Sequence, residues 1–519
     1  MAIITVSNTG GNWNATTSWV GGVLPLSTDT IAFTATSGSL TVNVASICAG
    51  FDMTNYSAGK TITFTSTLTI NGPWNLGSGA YTQAGASGII MPVSATITSN
   101  GVTWSRTLTL QGTSQTFTLS GNDLTVSGLL TLSPVTTMAF VGAFNINVLG
   151  GLTISGTTAA VISGASTPII IKGGTWNHTV ASYIQNAITI NPSTTVTLGA
   201  AQCVSSPTLT YTAGVGSVTT GTGTLSLNSN ITLATNGMTW YSISITSAIA
   251  TTLSNDLHYS GTLTTNMGSN GGCSFSGSTI YGGGVNFAGQ FHYITGLSGC
   301  TLVLNTSGTL NGYVGAVTGF GFQLPVTINH SGTTTINKCY MGIGSSLTLV
   351  SGSVVMGSPG LLAFNASSGS VTVTGFSGVT FTNVYFQTGA TFIFDFTNVS
   401  GTVTTFGNFT VQDSSGLTIG TLQSSTVGTM TLQSGHTYTI KTAFSYNTAT
   451  AAGLCAIKTS TPGTKAIINL VSPASQDIGF TNFTDIDASG GKRICTYKST
   501  LSNTINIINL PTDFQTIVY

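Results

Sequence analysis

The chain has 519 residues, 41% of them hydrophobic and only 4% charged; ten Lys and Arg balance ten acidic residues, and every acidic residue is Asp. Ordinary domains carry about 25% charged residues, so this composition argues against the basic face of a nucleic-acid binder and leaves few groups for proton transfer, nucleophile activation or metal binding. A mean hydropathy of +0.37 argues equally against a disordered polar chain.

The chain can therefore bury a core, but its solvent face must be made of hydroxyls and amides. There are 66 glycines, and no Asp, Lys or Arg occurs between Leu257 and Asn337. A net charge of zero favours association. The expectation is an oligomer within a larger particle or fibre.

Taken in chain order, residues 1–40 stand apart. They hold Trp13, Trp19, Pro25 and Asp29, and are expected to cap the terminal coil of a repeat structure. The opening MAIITVSNTGGNW has neither the basic nor the apolar region of a secretory signal. No apolar run reaches the length of about 18 residues that a membrane helix needs.

Residues 41–434 read as strands throughout. Thr61-Ile-Thr-Phe-Thr, Thr107-Leu-Thr-Leu, Leu124-Thr-Val, Thr194-Thr-Val-Thr-Leu and Ser370-Val-Thr-Val-Thr alternate apolar residues with Thr or Ser. That is period two, rich in β-branched residues and bounded by Gly, Asn or Ser turns. No amphipathic helix of three turns is present. Leu124-Thr-Val-Ser-Gly-Leu-Leu-Thr-Leu aligns with Ile146-Asn-Val-Leu-Gly-Gly-Leu-Thr-Ile, 22 residues on. A period of this size with short strands predicts an all-β, right-handed parallel β-solenoid (β-helix) of roughly 17 coils; a string of β-sandwiches is the alternative.

A longer repeat overlies the coils. Ala95-Thr-Ile-Thr-Ser-Asn-Gly-Val-Thr-Trp104 matches Ile231-Thr-Leu-Ala-Thr-Asn-Gly-Met-Thr-Trp240, with a weaker third copy around Gly378-Val-Thr-Phe381. Asp123, Asp256 and Asp395 follow the three copies at similar offsets. Three units of about 136 residues account for both series. Residues 435–519 form a predicted C-terminal β module. Ten of the 20 charges gather there, six of them basic: Lys441, Lys458, Lys465, Lys492, Arg493 and Lys498.

Few residues suggest chemistry. Asp485-Ile-Asp487 is the one close carboxylate pair, and in a strand both would face one side; a turn with Asp bonded to backbone N–H groups competes with that reading. The recurring Asp123, Asp256 and Asp395 would lie in separate units and read as corner residues. The histidines at 178, 258, 292, 330 and 436 have no metal-ligand spacing, and there is no GxSxG elbow. Seven widely spaced cysteines without CxxC read as free thiols in a reducing compartment, with no metal and no cofactor. The aromatics Tyr281, Phe287, Phe291, Tyr293, Tyr313, Phe320 and Phe322 cluster in a Gly-rich stretch without charge. Of these, Tyr281, Phe291, Tyr293 and Tyr313 are the candidate binding residues, against a competing role in subunit packing or core.

Gly11-Asn-Trp-Asn-Ala-Thr-Thr-Ser-Trp-Val-Gly-Gly-Val-Leu-Pro25, followed by Asp29, resembles the opening of β-helical surface proteins of bacteria and tailed phages. Lys465-Ala-Ile-Ile-Asn-Leu, with Phe480-Thr-Asn-Phe-Thr-Asp-Ile-Asp-Ala-Ser-Gly-Gly491, resembles a module found late in large phage structural proteins. The resemblance implies a virion component (tail fibre, spike or head fibre) made in host cytoplasm and carries over no catalytic residue. The expected partners are further copies of the chain as a homotrimer, other virion proteins and a host-surface glycan, with neither nucleic acid nor membrane. A non-enzymatic role in assembly and host attachment follows. A bacterial adhesin, or a polysaccharide-degrading tailspike with an inter-subunit site, are the alternatives.

Overall fold

A computed structural model describes residues 2–164, 166–267, 271–287, 292–297, 299–312, 321–342, 344–364, 366, 368–387, 389–447 and 453–511. The chain forms two compact units, Met1–Ser244 with Ile249–His258, and Ile245–Ala248 with Tyr259–Tyr519. Each is a parallel β-solenoid, and together they hold about 20 turns. Among the described residues the one helical element is a 3-10 turn, Thr16–Ser18.

In the first unit a coil contributes three short strands, and each strand pairs with the one three positions later. Leu108–Gly112 pairs with Leu130–Pro134, which pairs with Leu152–Ile154. The 22-residue alignment seen in the sequence is this register: Leu124 lies opposite Ile146 and Val126 opposite Val148. Parallel sheets usually bury both faces and lose alternation. Here one face closes round the core and the other meets solvent, so alternation survives. Leu124 and Val126 are almost fully buried while Thr125 between them is half-buried.

The core is therefore a set of vertical columns. Leu108, Leu130 and Leu152 stack on one another, as do Leu110, Leu132 and Ile154. Neighbouring coils are separated by about 4.8 Å, and each such side chain contributes about 1.5–3 kcal/mol by leaving water. Large rings fill the wider levels. Trp74 and Trp104 meet edge to face with centroids 4.9 Å apart, and Trp104 and Trp240, which share a position in the long repeat, are both fully buried. The corner before each is Asn-Gly in left-handed conformation, with φ of 49° and 78° at Asn100 and Gly101 and 45° and 84° at Asn236 and Gly237. Only residues that tolerate positive φ turn the chain so tightly.

The second unit uses longer strands. Val326–Met341 spans a corner, pairs with both Leu302–Leu304 and Gly308–Asn311, and then with Ser346–Phe364. Register shifts between Ile328 and Asn329 and between Ile336 and Lys338 make the bends. At Gly282 a side chain is impossible, because a Cβ would lie 2.0 Å from the ring of Tyr259, which fills the core there. Pairing runs on through Ser434: Leu417–Ser424 pairs with Thr437–Tyr446, which pairs with Ala466–Leu470.

At the N-terminal end, Ile3–Thr5 already pairs with Thr30–Ala32. The excursion between them carries Trp13 and Trp19, which pack edge to face at 5.1 Å, with Trp19 Nε1 donating to the Trp13 carbonyl. All seven cysteines are free thiols, six of them buried. Burial pushes the thiols of Cys48, Cys273 and Cys339 up to about 12, so they stay protonated and unreactive at neutral pH.

The columns make a direct prediction. Trp240→Ala empties a core level and is expected to lower stability by about 3–5 kcal/mol, read as a shift in the urea midpoint. Thr109→Ala, on the outward side, is expected to change it by under about 0.5 kcal/mol.

Candidate functional site

The aromatic residues singled out above that the structure describes stand on different stacks of the coil or in its core. Tyr281 stands on Ile280–Gly282, opposite Val303; Tyr293 stands on His292–Leu297, between Gly272 and Gly321. These strands belong to different stacks of the coil. Both rings are half-buried, and Tyr293 lies over Gly272, where a Cβ would come within 1.9 Å of it. Phe287 and Phe322 are core residues whose rings meet edge to face at 5.2 Å. Phe291, Tyr313 and Phe320 lie outside the described residues.

The carboxylates serve corners. Asp123 accepts hydrogen bonds from the backbone N–H of Asn145 at 2.8 Å and from the amides of Asn145 and Asn147 at 3.0 and 3.1 Å. Desolvation pushes its pKa up, but these bonds and the charge of Lys172 outweigh it and hold the carboxyl below its ordinary value. Asp395 accepts from the N–H groups of Gly375 and Phe376, at 2.6 and 2.9 Å. Asn255 does the same for Thr235 and Asn236. Asp395 is thus the structural counterpart of Asn255, one residue from the alignment with Asp256 that the sequence suggested. Asp485 and Asp487 do not share a face. Asp485 turns the chain at φ 58° and caps Gly463 and Asn503, while Asp487 bonds the N–H of Ser489. The hydrogen bonds from Gly463 and Asn503 hold Asp485 below the usual carboxylate range.

The histidines divide by burial. His178 is 4% exposed, with Nδ1 2.9 Å from the Ser182 carbonyl oxygen and no partner for Nε2 among the described residues. Burial pulls its pKa down to about 4, so it is neutral at pH 7. His330 is buried, accepting at Nδ1 from the Gly332 N–H and bonding Thr334 Oγ1 through Nε2 at 2.8 Å. His258 faces outward between buried Leu257 and Tyr259. The side chain of His292 lies outside the described residues.

His436 is different. Its Nδ1 lies 2.5 Å from Asp413 Oδ1, and that carboxylate also accepts the Gly416 N–H at 2.6 Å and the hydroxyl of Tyr438. Asp413 sits opposite Phe394 at a core-facing position and is almost wholly buried, while the His436 ring is 27% exposed. Burial raises the Tyr438 phenol far above its usual pKa, and the Asp413 charge raises it further, so Tyr438 remains a donor. No local motif marks this group, because Asp413 and His436 are 23 residues apart. The coil period was the available signal, since that spacing places both at one corner. The carboxylate fixes the partly exposed imidazole through Nδ1, an arrangement suited to ordering a ligand. No group of three His, Cys or Asp side chains able to hold a metal occurs among the described residues.

On the same unit, Thr391, Thr410, Thr431 and Lys458 lie in register on four successive coils. With Asn408 and Thr429 they line a groove of about 380 Å³. It is an uncharged hydroxyl track ending in one ammonium group. No family model, curated protein or solved structure matches this chain.

Two outcomes test these assignments. The His178 pKa is lower in the folded than in the unfolded chain, so unfolding takes up a proton as pH falls below about 6.5. Stability is complete above that pH and is expected to fall by up to about 3 kcal/mol between pH 6.5 and 4. In His178→Leu the urea midpoint should flatten across that window. Tyr438→Phe removes a donor from a buried carboxylate and is expected to cost about 1.5–3 kcal/mol at pH 7, measured in the same way.

Proposed function

We propose that this chain is a non-enzymatic structural component of a tailed-phage particle, a fibre, spike or capsid decoration that assembles as a homotrimer and meets the host surface. The observation that carries this reading is the outward face of the coils. Ser370, Thr391, Thr410, Thr431, Lys458, Thr484 and Ser502 form one unbroken column across seven coils, six of them hydroxyls. Such a surface offers many weak, similar hydrogen-bonding positions and little charge. Multiple copies turn weak contacts into firm attachment without a tight single site.

Two further features support it. Residues 20–26 expose Val20, Val23 and Leu26 at 59%, 56% and 65%, with Ile3 at 73% nearby in the first coil. Clustered apolar residues on a surface mark contact with another chain. Gly11–Pro25 resembles the opening of β-helical surface proteins of bacteria and tailed phages, and Lys465–Gly491 resembles a module found late in large phage structural proteins.

Gold-labelled antibody against the chain should decorate phage particles banded in a density gradient, and the purified chain should have three times its 52.7 kDa mass by light scattering. Label confined to the bacterial envelope, with none on particles, would replace this reading with that of a cellular adhesin.

A further inference from the structure

The long repeat allows two corners of the solenoid, one strand stack apart, to be compared. Residues 75, 81 and 83 of the first copy correspond to 211, 217 and 219 of the second, at the 136-residue offset that relates Trp104 to Trp240. Strands Thr82–Gly85 and Val218–Thr220 match at that offset in the sequence but stand on different stacks, the first beside Thr61–Phe64 and the second beside Val196–Leu198. In the first copy this corner is closed. Tyr81 is 8% exposed, packs on Tyr56 with centroids 5.3 Å apart, and its hydroxyl donates to the Leu76 carbonyl at 2.8 Å. Gln83 reaches the next coil, donating to the Thr103 carbonyl and accepting from the Ser105 N–H.

In the second copy these parts are replaced. Ser217 stands where Tyr81 plugs the corner, and Thr219 stands where Gln83 bridges it. A cleft of about 380 Å³ opens there, lined by Tyr211, Val218, Thr220, Met238 and Thr239 beside the Asn236-Gly237 corner. Tyr211 occupies the position of Asn75. Its backbone is fixed by Asn236, whose Nδ2 donates to the Tyr211 carbonyl and whose Oδ1 accepts from Asn255. In the first copy Asn100 donates instead to the side chain of Asn75, at 2.8 Å. The exchange of Asn for Tyr thus keeps the corner and adds a half-buried ring to it.

The lining defines a ligand class. Val218 and the nearly buried Met238 supply apolar contact, Tyr211 supplies a ring face, and Thr220, Thr239 and the phenol supply hydroxyls. From Gly173 to Asn255 there is no Asp, Lys or Arg. An ionic ligand would lose hydration here without a counter-charge. A ring stacked on C–H groups, with neutral hydroxyls around it, fits a sugar, and the volume falls in the range of ligand clefts. We propose that this cleft is a binding site for a neutral saccharide, created in the second copy by loss of the Tyr81 plug and gain of Tyr211. The proposal rests on the attachment reading above and assigns it a specific contact point.

The test uses the full chain with maltotetraose, cellotetraose and chitotetraose as neutral probes and trigalacturonate as a charged one, followed by saturation-transfer NMR and titration calorimetry. At least one neutral tetraose is expected to bind. Tyr211→Ala and Ser217→Tyr, the latter restoring the plug at an exposed position, should each weaken it at least tenfold. Thr109→Ala, on the outward side of another coil, should leave it unchanged. Absence of binding by all three neutral probes, binding that survives both cleft variants, or preference for trigalacturonate would each overturn the proposal. Gold labelling of particles separates the two readings. Labelled particles without saccharide binding sink the cleft alone; saccharide binding without label sinks the virion role and leaves the cleft standing.

Discussion

The structure depends on one constraint: each coil must place its apolar residues directly above those of the coil before. Parallel pairing at a step of about 22 residues meets it, because Leu108, Leu130 and Leu152 then share a column while Thr109, Thr131 and Thr153 share the opposite face. A slip of one residue would exchange the two sets. Every other feature answers to this stacking. Asn-Gly corners turn the chain without using length, glycines admit rings from the next coil, and the tryptophans fill levels too wide for aliphatic side chains.

Charge is scarce because the fold does not need it. Outward positions require only groups that hydrogen-bond to water, and Thr also suits a strand. Asp123, Asp395 and Asp485 are held by donors at corners. Asp413 lies deeper. It occupies a core-facing position, and it persists there because Gly416, His436 and Tyr438 all donate to it. A buried charge without such partners would be strongly destabilising.

Period-two alternation made the fold class readable, and the Leu124 and Ile146 alignment even carried the register. The count of coils came out at about 20 rather than roughly 17, since coil stacking extends into the terminal segments that the composition had set apart. Functional positions were harder to read. Phe287 and Phe322 stand in an aromatic cluster that reads either as a binding surface or as core; both are core residues, and Phe287 alternates with buried Val285. The Asp413–His436 contact spans a whole coil, so no local motif announces it. The cleft at Tyr211 shows only when two copies of the repeat are laid over each other, because what makes it is the absence of Tyr81's counterpart. Linear motif reading detects residues that are present, and this site is defined partly by one that is not.

The coil register is the central claim, and cysteine cross-linking tests it most directly. Thr109 and Thr131 are register partners on neighbouring coils, at a spacing of about 4.8 Å that a disulfide can bridge. Thr109 and Thr153 are two coils apart, beyond its reach. The double variant Thr109→Cys/Thr131→Cys should form the bond on mild oxidation, and Thr109→Cys/Thr153→Cys should not. A bond in the second pair, or in neither, would contradict the stacking on which the whole account stands.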